Sequence, residues 1–174
     1  MLRDYDVIIL ARGNSFSAAL HENVWFDPDW CEVMPSDFRN YIAEGHGFLS
    51  LHAGNCYKLS DCPDMVNLIG NEFKYHPKQC PVTYAPVKEH PVTKGVRAFT
   101  ARDEHYVIDL LAKGADVFLE SASDFAPAQA AGYSLEIGKG RLCVLTPGHT
   151  LSAMGDPENL KLISNALDWC AFKA

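Results

Sequence analysis

The chain has 174 residues, of which 48% are hydrophobic and 21% charged, as in ordinary globular proteins. Its 22 acidic and 15 basic residues give a net charge of −7, without a basic cluster to bind nucleic acid or an anionic membrane. No apolar run reaches the ~20 residues of a membrane-spanning helix, and the N-terminus lacks the apolar core of a signal peptide. We expect one domain over residues 1–174, in the cytoplasm, with no nucleic-acid or membrane partner.

The first half of the sequence predicts alternating strands and helices. Tyr5–Ala11 is a continuous apolar run, typical of a strand buried on both faces of a parallel sheet. Pro35–Glu44 has apolar residues at helical spacing, and Gly45 follows it as a common helix-ending residue. Phe48–Leu51 predicts a second strand, and Asp64–Gly70 predicts a short helix.

The second half predicts mostly strands. Proline steps interrupt its beginning, so Val82–Val87 is at best an edge strand. Further strands are predicted at Asp103–Leu111, Asp116–Glu120, Gln129–Ile137 and Arg141–Thr146. The last two flank a glycine-rich turn and should form a hairpin, and Asp156-Pro157 is typical of the start of a helix. The whole pattern predicts a doubly wound α/β domain with a mostly parallel sheet and an antiparallel hairpin at one edge.

Two of the predicted strands are followed by a histidine. His52 comes directly after Phe48–Leu51 and opens a glycine turn, and His149 follows the strand that ends near Thr146. Because ligands bind at the carboxyl ends of parallel strands, we expect the two imidazoles to meet at one sheet edge. A strand-to-turn junction of this kind projects one side chain, as in the nucleophile elbow of hydrolases. That side chain is neither serine nor cysteine here, which argues against acyl transfer.

The segment Asp103–Tyr106 adds a carboxylate to the candidate site. Because side chains alternate along a strand, Glu104 and Tyr106 should share one face, with Asp103 and His105 on the other. We choose Glu104 as the carboxylate of the site. Two histidines and a glutamate can transfer protons near neutral pH, or bind a divalent metal such as zinc at an open site.

The sequence therefore predicts His52, Glu104 and His149 as catalytic residues, with metal binding by the same three as the second role. The alternative for either histidine is that it only caps a strand end through a backbone carbonyl. His76 and His90 each precede a proline and are predicted to be structural.

Several segments, taken in this order, resemble the trehalose-utilisation (ThuA-like) family. They are Phe48–Gly54, Phe73-x2-His76-Pro77, His90–Thr93, Asp103–Tyr106, Gly138–Arg141, Gly148–Thr150 and Asn165-Ala166-Leu167-x-Trp169. The resemblance implies the flavodoxin-like fold of the class I glutamine amidotransferases. It also implies that His52 stands in place of their nucleophilic cysteine and that His149 lies near their catalytic histidine, so amide hydrolysis is not expected.

The resemblance further implies a role in sugar catabolism, on routes that oxidise a glycoside at carbon 3. A base beside the ketone would remove a neighbouring proton, and isomerisation or elimination would follow. The candidate sugar-binding residues are Asn14, Gly54, Asn55, His105 and Tyr106, and Trp25 and Trp30 could stack on a sugar. Two alternatives stay open: a non-catalytic binding module on the same fold, and a metal-dependent hydrolase of a small polar substrate.

One departure from the family concerns the N-terminus. Members begin with a further strand and a glycine/histidine loop that contributes to their pocket, and this chain is expected to lack that unit. The departure predicts either an inactive protein or a pocket completed by a partner chain. An exposed strand edge at that place would be one site for a homodimer interface.

Overall fold

Nine strands and four α-helices make up the described part of the computed structural model, which covers residues 2–12, 26 and 31–173. The strands are Val7–Leu10 (β1), Gly47–Leu51 (β2), Asn71–Tyr75 (β3), Cys80–Pro86 (β4), Phe99–Asp103 (β5), Val107–Leu110 (β6), Asp116–Ser123 (β7), Ala126–Ile137 (β8) and Gly140–Leu145 (β9). The helices are Pro35–Ala43 (α1), Pro63–Ile69 (α2), Leu151–Met154 (α3) and Pro157–Cys170 (α4). Short 3-10 turns occupy Leu2–Asp4, His52–Asn55 and Pro91–Thr93.

Seven of the strands form one mixed sheet in the order β1-β2-β9-β8-β7-β4-β5, and β3 pairs with β6 separately. The pairings of β2 with β1 and with β9 are parallel. The other four pairings of the large sheet are antiparallel. The α/β class is therefore confirmed, but the prediction of a mostly parallel sheet is wrong. No helix separates the strands between β4 and β9, and strands joined by short connections pair antiparallel.

The predicted hairpin is confirmed as β8 and β9, which pair from Gly132 opposite Leu145 to Ile137 opposite Gly140. Its predicted place at a sheet edge is wrong. β9 pairs with β2 on its other side, and β8 pairs with β7. The hairpin thus joins the parallel part of the sheet to the antiparallel part.

β4 was predicted as an edge strand at best, yet it lies between β7 and β5. The positions of its two prolines explain how a proline-containing strand is tolerated inside the sheet. Pro81 lies opposite Arg102 of β5, outside the stretch that pairs with β7. Pro86 lies opposite Leu119 of β7, beyond the stretch that pairs with β5. Each proline therefore has a paired strand on one side only, and proline is tolerated where its position without an N–H can face the unpaired side.

Two other predicted strands also differ from the structure. β1 was predicted to be buried on both faces, but it is the first strand of the sheet order, and Ile9 is 50% exposed. The predicted strand Asp103–Leu111 is divided into β5 and β6, which belong to different sheets. Residues 104–106 lie between them, outside both strands, yet Glu104 and Tyr106 both lie beside His52 while His105 lies beside Ser123, as the predicted alternation requires.

Helices cover both faces of the large sheet. α4 packs Leu162, Ala166 and Trp169 against one hydrophobic cluster. α1 and α2 pack Phe38 and Met65, among others, into a second cluster on the opposite face. β2 lies between the two layers and is buried along its whole length. The residue that follows β2 is therefore attached to a strand that is buried along its whole length.

The helix ends follow the signals in the sequence. Asp156 caps α4 by accepting a hydrogen bond from the backbone N–H of Glu158 at 2.8 Å, and Pro157 is the first helical residue. Gly45 follows α1 with a φ of +119°, which a residue with a Cβ rarely adopts. Cys56, Cys62, Cys80, Cys143 and Cys170 form no disulfide bond. Among the described residues, no helix is long and apolar enough to span a membrane.

His90 is a half-buried histidine whose neutral form makes a local hydrogen bond. Its Nδ1 accepts a hydrogen bond from the backbone N–H of Val92 at 3.1 Å, so Nε2 carries the hydrogen. Nε2 lies 3.3 Å from Oγ of Ser134, and the ring stacks on Phe118 with centroids 4.5 Å apart. A proton added to Nδ1 would break the hydrogen bond with Val92.

We expect the protein to lose stability in acid through His90. Burial, followed by the charges of Lys88 and Arg141, lowers the pKa of His90 to about 4. Unfolded histidine has a pKa of about 6.5, so the unfolded chain binds more protons between these values, and the free energy of unfolding falls as the pH drops. Thermal melts between pH 7 and pH 4 should show a smaller pH slope for His90→Gln than for the wild type. Equal slopes would contradict this prediction.

Candidate active site

His52 projects from the carboxyl end of β2 in an uncommon backbone conformation. Its φ is +46°, in the left-handed region that residues other than glycine seldom adopt. Such a conformation costs about 1–3 kcal/mol and is typical of functional sites. Parallel pairing sets Leu51 opposite Leu145, so β2 and β9 end at the same edge of the sheet. The predicted meeting of the two strand ends is confirmed.

The side chains of His52, Glu104 and His149 converge at this edge, and we call them the sheet-edge cluster. Nε2 of His52 lies 3.2 Å from Nδ1 of His149 and 3.5 Å from Oε2 of Glu104. Nδ1 of His149 lies 3.1 Å from the same oxygen. The side chains of His52 and Glu104 are 9% and 12% exposed, against 41% for His149. The three donor atoms can therefore exchange protons or bind one metal ion, with His149 on the solvent side.

A hydrogen bond on the side of the ring away from the cluster sets the orientation of His52. Its Nδ1 lies 2.8 Å from the carbonyl oxygen of Thr146 and donates a hydrogen bond to it. Burial lowers the pKa of His52, against the raising effect of that hydrogen bond. The ring is therefore neutral at pH 7 and presents the lone pair of Nε2 to the cluster.

Tyr106 contacts His52 directly. Its hydroxyl lies 3.0 Å from Nε2 of His52, and the two rings stack with centroids 4.5 Å apart. Sγ of Cys56 donates to the same hydroxyl at 3.2 Å. Burial raises the pKa of Tyr106 and raises that of Cys56 to about 11, so both remain protonated at pH 7. Tyr106 thus donates a hydrogen bond to His52, while the thiol is not available as a nucleophile.

Asp103 holds the loop that carries His149, a role the sequence did not indicate. Its fully buried carboxylate accepts hydrogen bonds from the backbone N–H groups of Gly148 at 2.9 Å and His149 at 2.8 Å. The hydroxyl of Tyr84 donates a third, at 2.9 Å. Alternation had placed Asp103 on the face away from Glu104. The feature of the sequence that could have indicated this role was the position of Asp103 beside Glu104, as the first residue of the predicted strand Asp103–Leu111.

His76, predicted to be structural, lies on the solvent side of the cluster. Its Nε2 is 3.6 Å from Oε2 of Glu104, and its side chain is 37% exposed. Nδ1 of His76 donates to the carbonyl oxygen of Pro77 at 2.8 Å, and the ring stacks on Tyr106. Three imidazoles therefore surround one carboxylate oxygen. In the sequence, the feature that could have indicated a role for His76 was its place in Phe73-x2-His76-Pro77, one of the segments that resemble the family.

Three of the predicted sugar-binding residues have contacts that hold the core. Asn55 is fully buried and donates to the carbonyl oxygen of Leu145 at 3.0 Å. A Cβ on Gly54 would collide with the carbonyl oxygen of Leu10, so glycine allows the turn to approach β1. The fully buried His105 lies 2.7 Å from Oγ of Ser123 through its Nδ1. These side chains fix the turn and the segment that bear the cluster, since burial removes them from the solvent side.

Asn14, Trp25 and Trp30 lie outside the described residues. Of the predicted sugar-binding residues within the described ranges, Tyr106 is the one that hydrogen-bonds a side chain of the cluster.

Known proteins share this fold at low sequence identity. A ThuA-like protein from Bacteroides uniformis ATCC 8492 is 22% identical, with a TM-score of 0.71 over 97% of this chain and 70% of that one. One from Parabacteroides merdae ATCC 43184 is 18% identical, with a TM-score of 0.76 over 98% and 72%. A cold-adapted β-galactosidase from Rahnella sp. R3 is 15% identical, with a TM-score of 0.62 over 95% of this chain and 22% of that one.

Sequence comparison identifies the family. No curated protein matches the chain. The sequence profile of the family described as ThuA, trehalose utilisation, matches residues 1–170, which is nearly the whole chain. The family description points to carbohydrate metabolism. On this evidence the chain belongs to the ThuA-like, trehalose-utilisation family.

Proposed function

We propose that this protein acts in carbohydrate catabolism by removing a proton beside the ketone of a keto-sugar or keto-glycoside. The observation that carries the proposal is the convergence of His52, Glu104 and His149 at one sheet edge, where His149 reaches solvent. The family description supports a sugar as the substrate class. Imidazoles suit the reaction because they accept and return protons near neutral pH.

The groups around the cluster favour proton transfer over acyl transfer. The nearby thiol of Cys56 is held protonated by burial and is hydrogen-bonded to Tyr106. On the flavodoxin-like, amidotransferase-like interpretation of the fold, His52 replaces the nucleophilic cysteine. The positive φ of His52 at the end of a parallel strand supports that interpretation.

In the proposed reaction, the half-exposed imidazoles of His149 and His76 are the proton carriers. One of them takes the proton from the carbon beside the carbonyl, and the electron pair of that C–H bond forms an enediolate. The hydroxyl proton on the deprotonated carbon then passes to the former ketone oxygen, and return of a proton to the former ketone carbon completes an isomerisation. Alternatively, the pair forms a C=C bond as the glycosidic oxygen leaves and takes a proton. Glu104 stabilises the imidazolium formed in either course, from 3.1 Å and 3.6 Å.

The test is an NMR time course of a 3-keto-glucoside in D₂O. We expect the protein to incorporate deuterium beside the ketone or to release the aglycone. The matched control is His46→Gln, because His46 precedes β2, at the opposite end from His52, and stacks on Tyr41. That variant should react like the wild type. A rate no higher than that without protein would contradict the proposal.

A non-catalytic sugar-binding module is the second candidate. The likeness to β-galactosidase covers 22% of that enzyme, so this fold also occurs as one segment of a larger protein. Broadening or shifts of the sugar signals in the same NMR samples, without deuterium uptake or aglycone release, would favour the module.

A further inference from the structure

The three donor atoms of the sheet-edge cluster have the spacing of metal ligands. The ligand atoms of His52, Glu104 and His149 are separated by 3.1, 3.2 and 3.5 Å. In a tetrahedral zinc site with bonds of about 2.0–2.1 Å, the ligand atoms are about 3.3 Å apart. One ion can therefore contact all three atoms without a rearrangement of the backbone.

One imidazole lone pair also faces the carboxylate of the cluster with no hydrogen between them. Nδ1 of His76 donates to Pro77, so Nε2 of that ring presents a lone pair, whereas Nε2 of His52 accepts the hydrogen bond of Tyr106. The lone pair of His76 faces Oε2 of Glu104 at 3.6 Å. An imidazole lone pair and a carboxylate oxygen repel each other unless a proton or a cation lies between them. The geometry is thus suited to a positive charge.

Supporting contacts hold the ligand set in place before any ion arrives. The carbonyl of Thr146 orients the ring of His52, and Asp103 fixes the backbone of Gly148 and His149. Hydrogen bonds of this kind to the far nitrogen of a ligating histidine are the usual second layer of metal sites. They reduce the entropy that binding an ion would otherwise cost.

We propose that Nε2 of His52, Nδ1 of His149 and Oε2 of Glu104 bind one divalent metal ion of the zinc type. Two imidazoles and one carboxylate are a set that suits zinc and its neighbours in the transition series. Three protein ligands leave a coordination position open, and the exposed imidazoles of His149 and His76 place the solvent on that side.

This proposal rests on the proposed function and gives His149 and His76 different roles in it. With the lone pair of Nδ1 on an ion, His149 is no longer a free base. His76 is then the imidazole that carries the substrate proton. A bound divalent ion would add a Lewis acid for the oxygen of the ketone.

The test is calorimetric titration of the metal-free full-length protein with Zn²⁺, together with the visible spectrum of the Co²⁺-loaded protein. We expect one saturable site and a tetrahedral or five-coordinate Co²⁺ spectrum. His149→Ala and Glu104→Gln each remove a direct ligand and should weaken Zn²⁺ binding by more than the roughly 10–100-fold that loss of a partner behind a ligand costs. Glu104→Gln preserves the shape of the side chain, and His149 is partly exposed, so both variants should fold, as circular dichroism would verify. His46→Gln should bind like the wild type.

The absence of saturable Zn²⁺ binding, or equal binding by the cluster variants and the control, would overturn the metal site. Two further outcomes separate it from the proposed function. Deuterium exchange that persists in chelator, without Zn²⁺ binding, would leave the proposed function standing and reject the ion. Tight Zn²⁺ binding without any exchange would establish the ion and reject the sugar chemistry.

Discussion

Replacing Glu104 by glutamine is expected to slow deuterium exchange into a keto-sugar by about 10²–10³-fold, the range for loss of one preorganised electrostatic contact in an active site. Oε2 of Glu104 is the atom within 3.6 Å of three imidazole nitrogens. An amide has nearly the same shape but carries no charge, so it cannot stabilise an imidazolium. The measurement is the NMR exchange rate at saturating substrate.

The control for this variant is Glu120→Gln. Glu120 lies on β7 as an exposed residue, and β8 separates β7 from β9. Both variants remove one negative charge, so an effect of net charge would appear in both. If Glu104→Gln exchanged deuterium at the wild-type rate, the cluster would not be the source of the chemistry.

Asp103→Asn is expected to lower the free energy of unfolding by about 1–3 kcal/mol and to abolish most of the activity. The carboxylate of Asp103 receives three donors, from Gly148, His149 and Tyr84. An asparagine side chain has one acceptor oxygen, and its NH₂ group would face an N–H or O–H donor. At least one buried donor would lose its partner, and the loop bearing His149 would shift.

Urea unfolding and the NMR assay together measure this second prediction. A displacement of about 1 Å in a catalytic group can cost about 10²-fold in rate, so the folded variant should still be slow. Asp109→Asn is the control, because Asp109 is 57% exposed and pairs with Lys74 at the surface. If Asp103→Asn unfolded at the same urea concentration as the wild type, Asp103 would not be holding the loop.

Local patterns in the sequence were sufficient for the parts of the site that lie on single elements. The apolar run before His52 and the glycines after it predicted a strand that ends in a turn, and the structure has β2 and a 3-10 turn there. The hairpin glycines near residue 139 and the cap at Asp156 were predicted correctly for the same reason. In each case the backbone preference belongs to the residues themselves or to their neighbours in sequence.

Only the tertiary structure decided which strands pair and which side chains reach the cluster. β4 lies inside the sheet because its prolines fall where one neighbouring strand is absent, and this depends on the register of β5 and β7. The break between β5 and β6 places Glu104 in the cluster, while the neighbouring Asp103 holds the His149 loop. His76 reaches Glu104 across 28 residues of chain. These contacts join positions far apart in sequence, so their geometry comes from packing and pairing and not from any local preference.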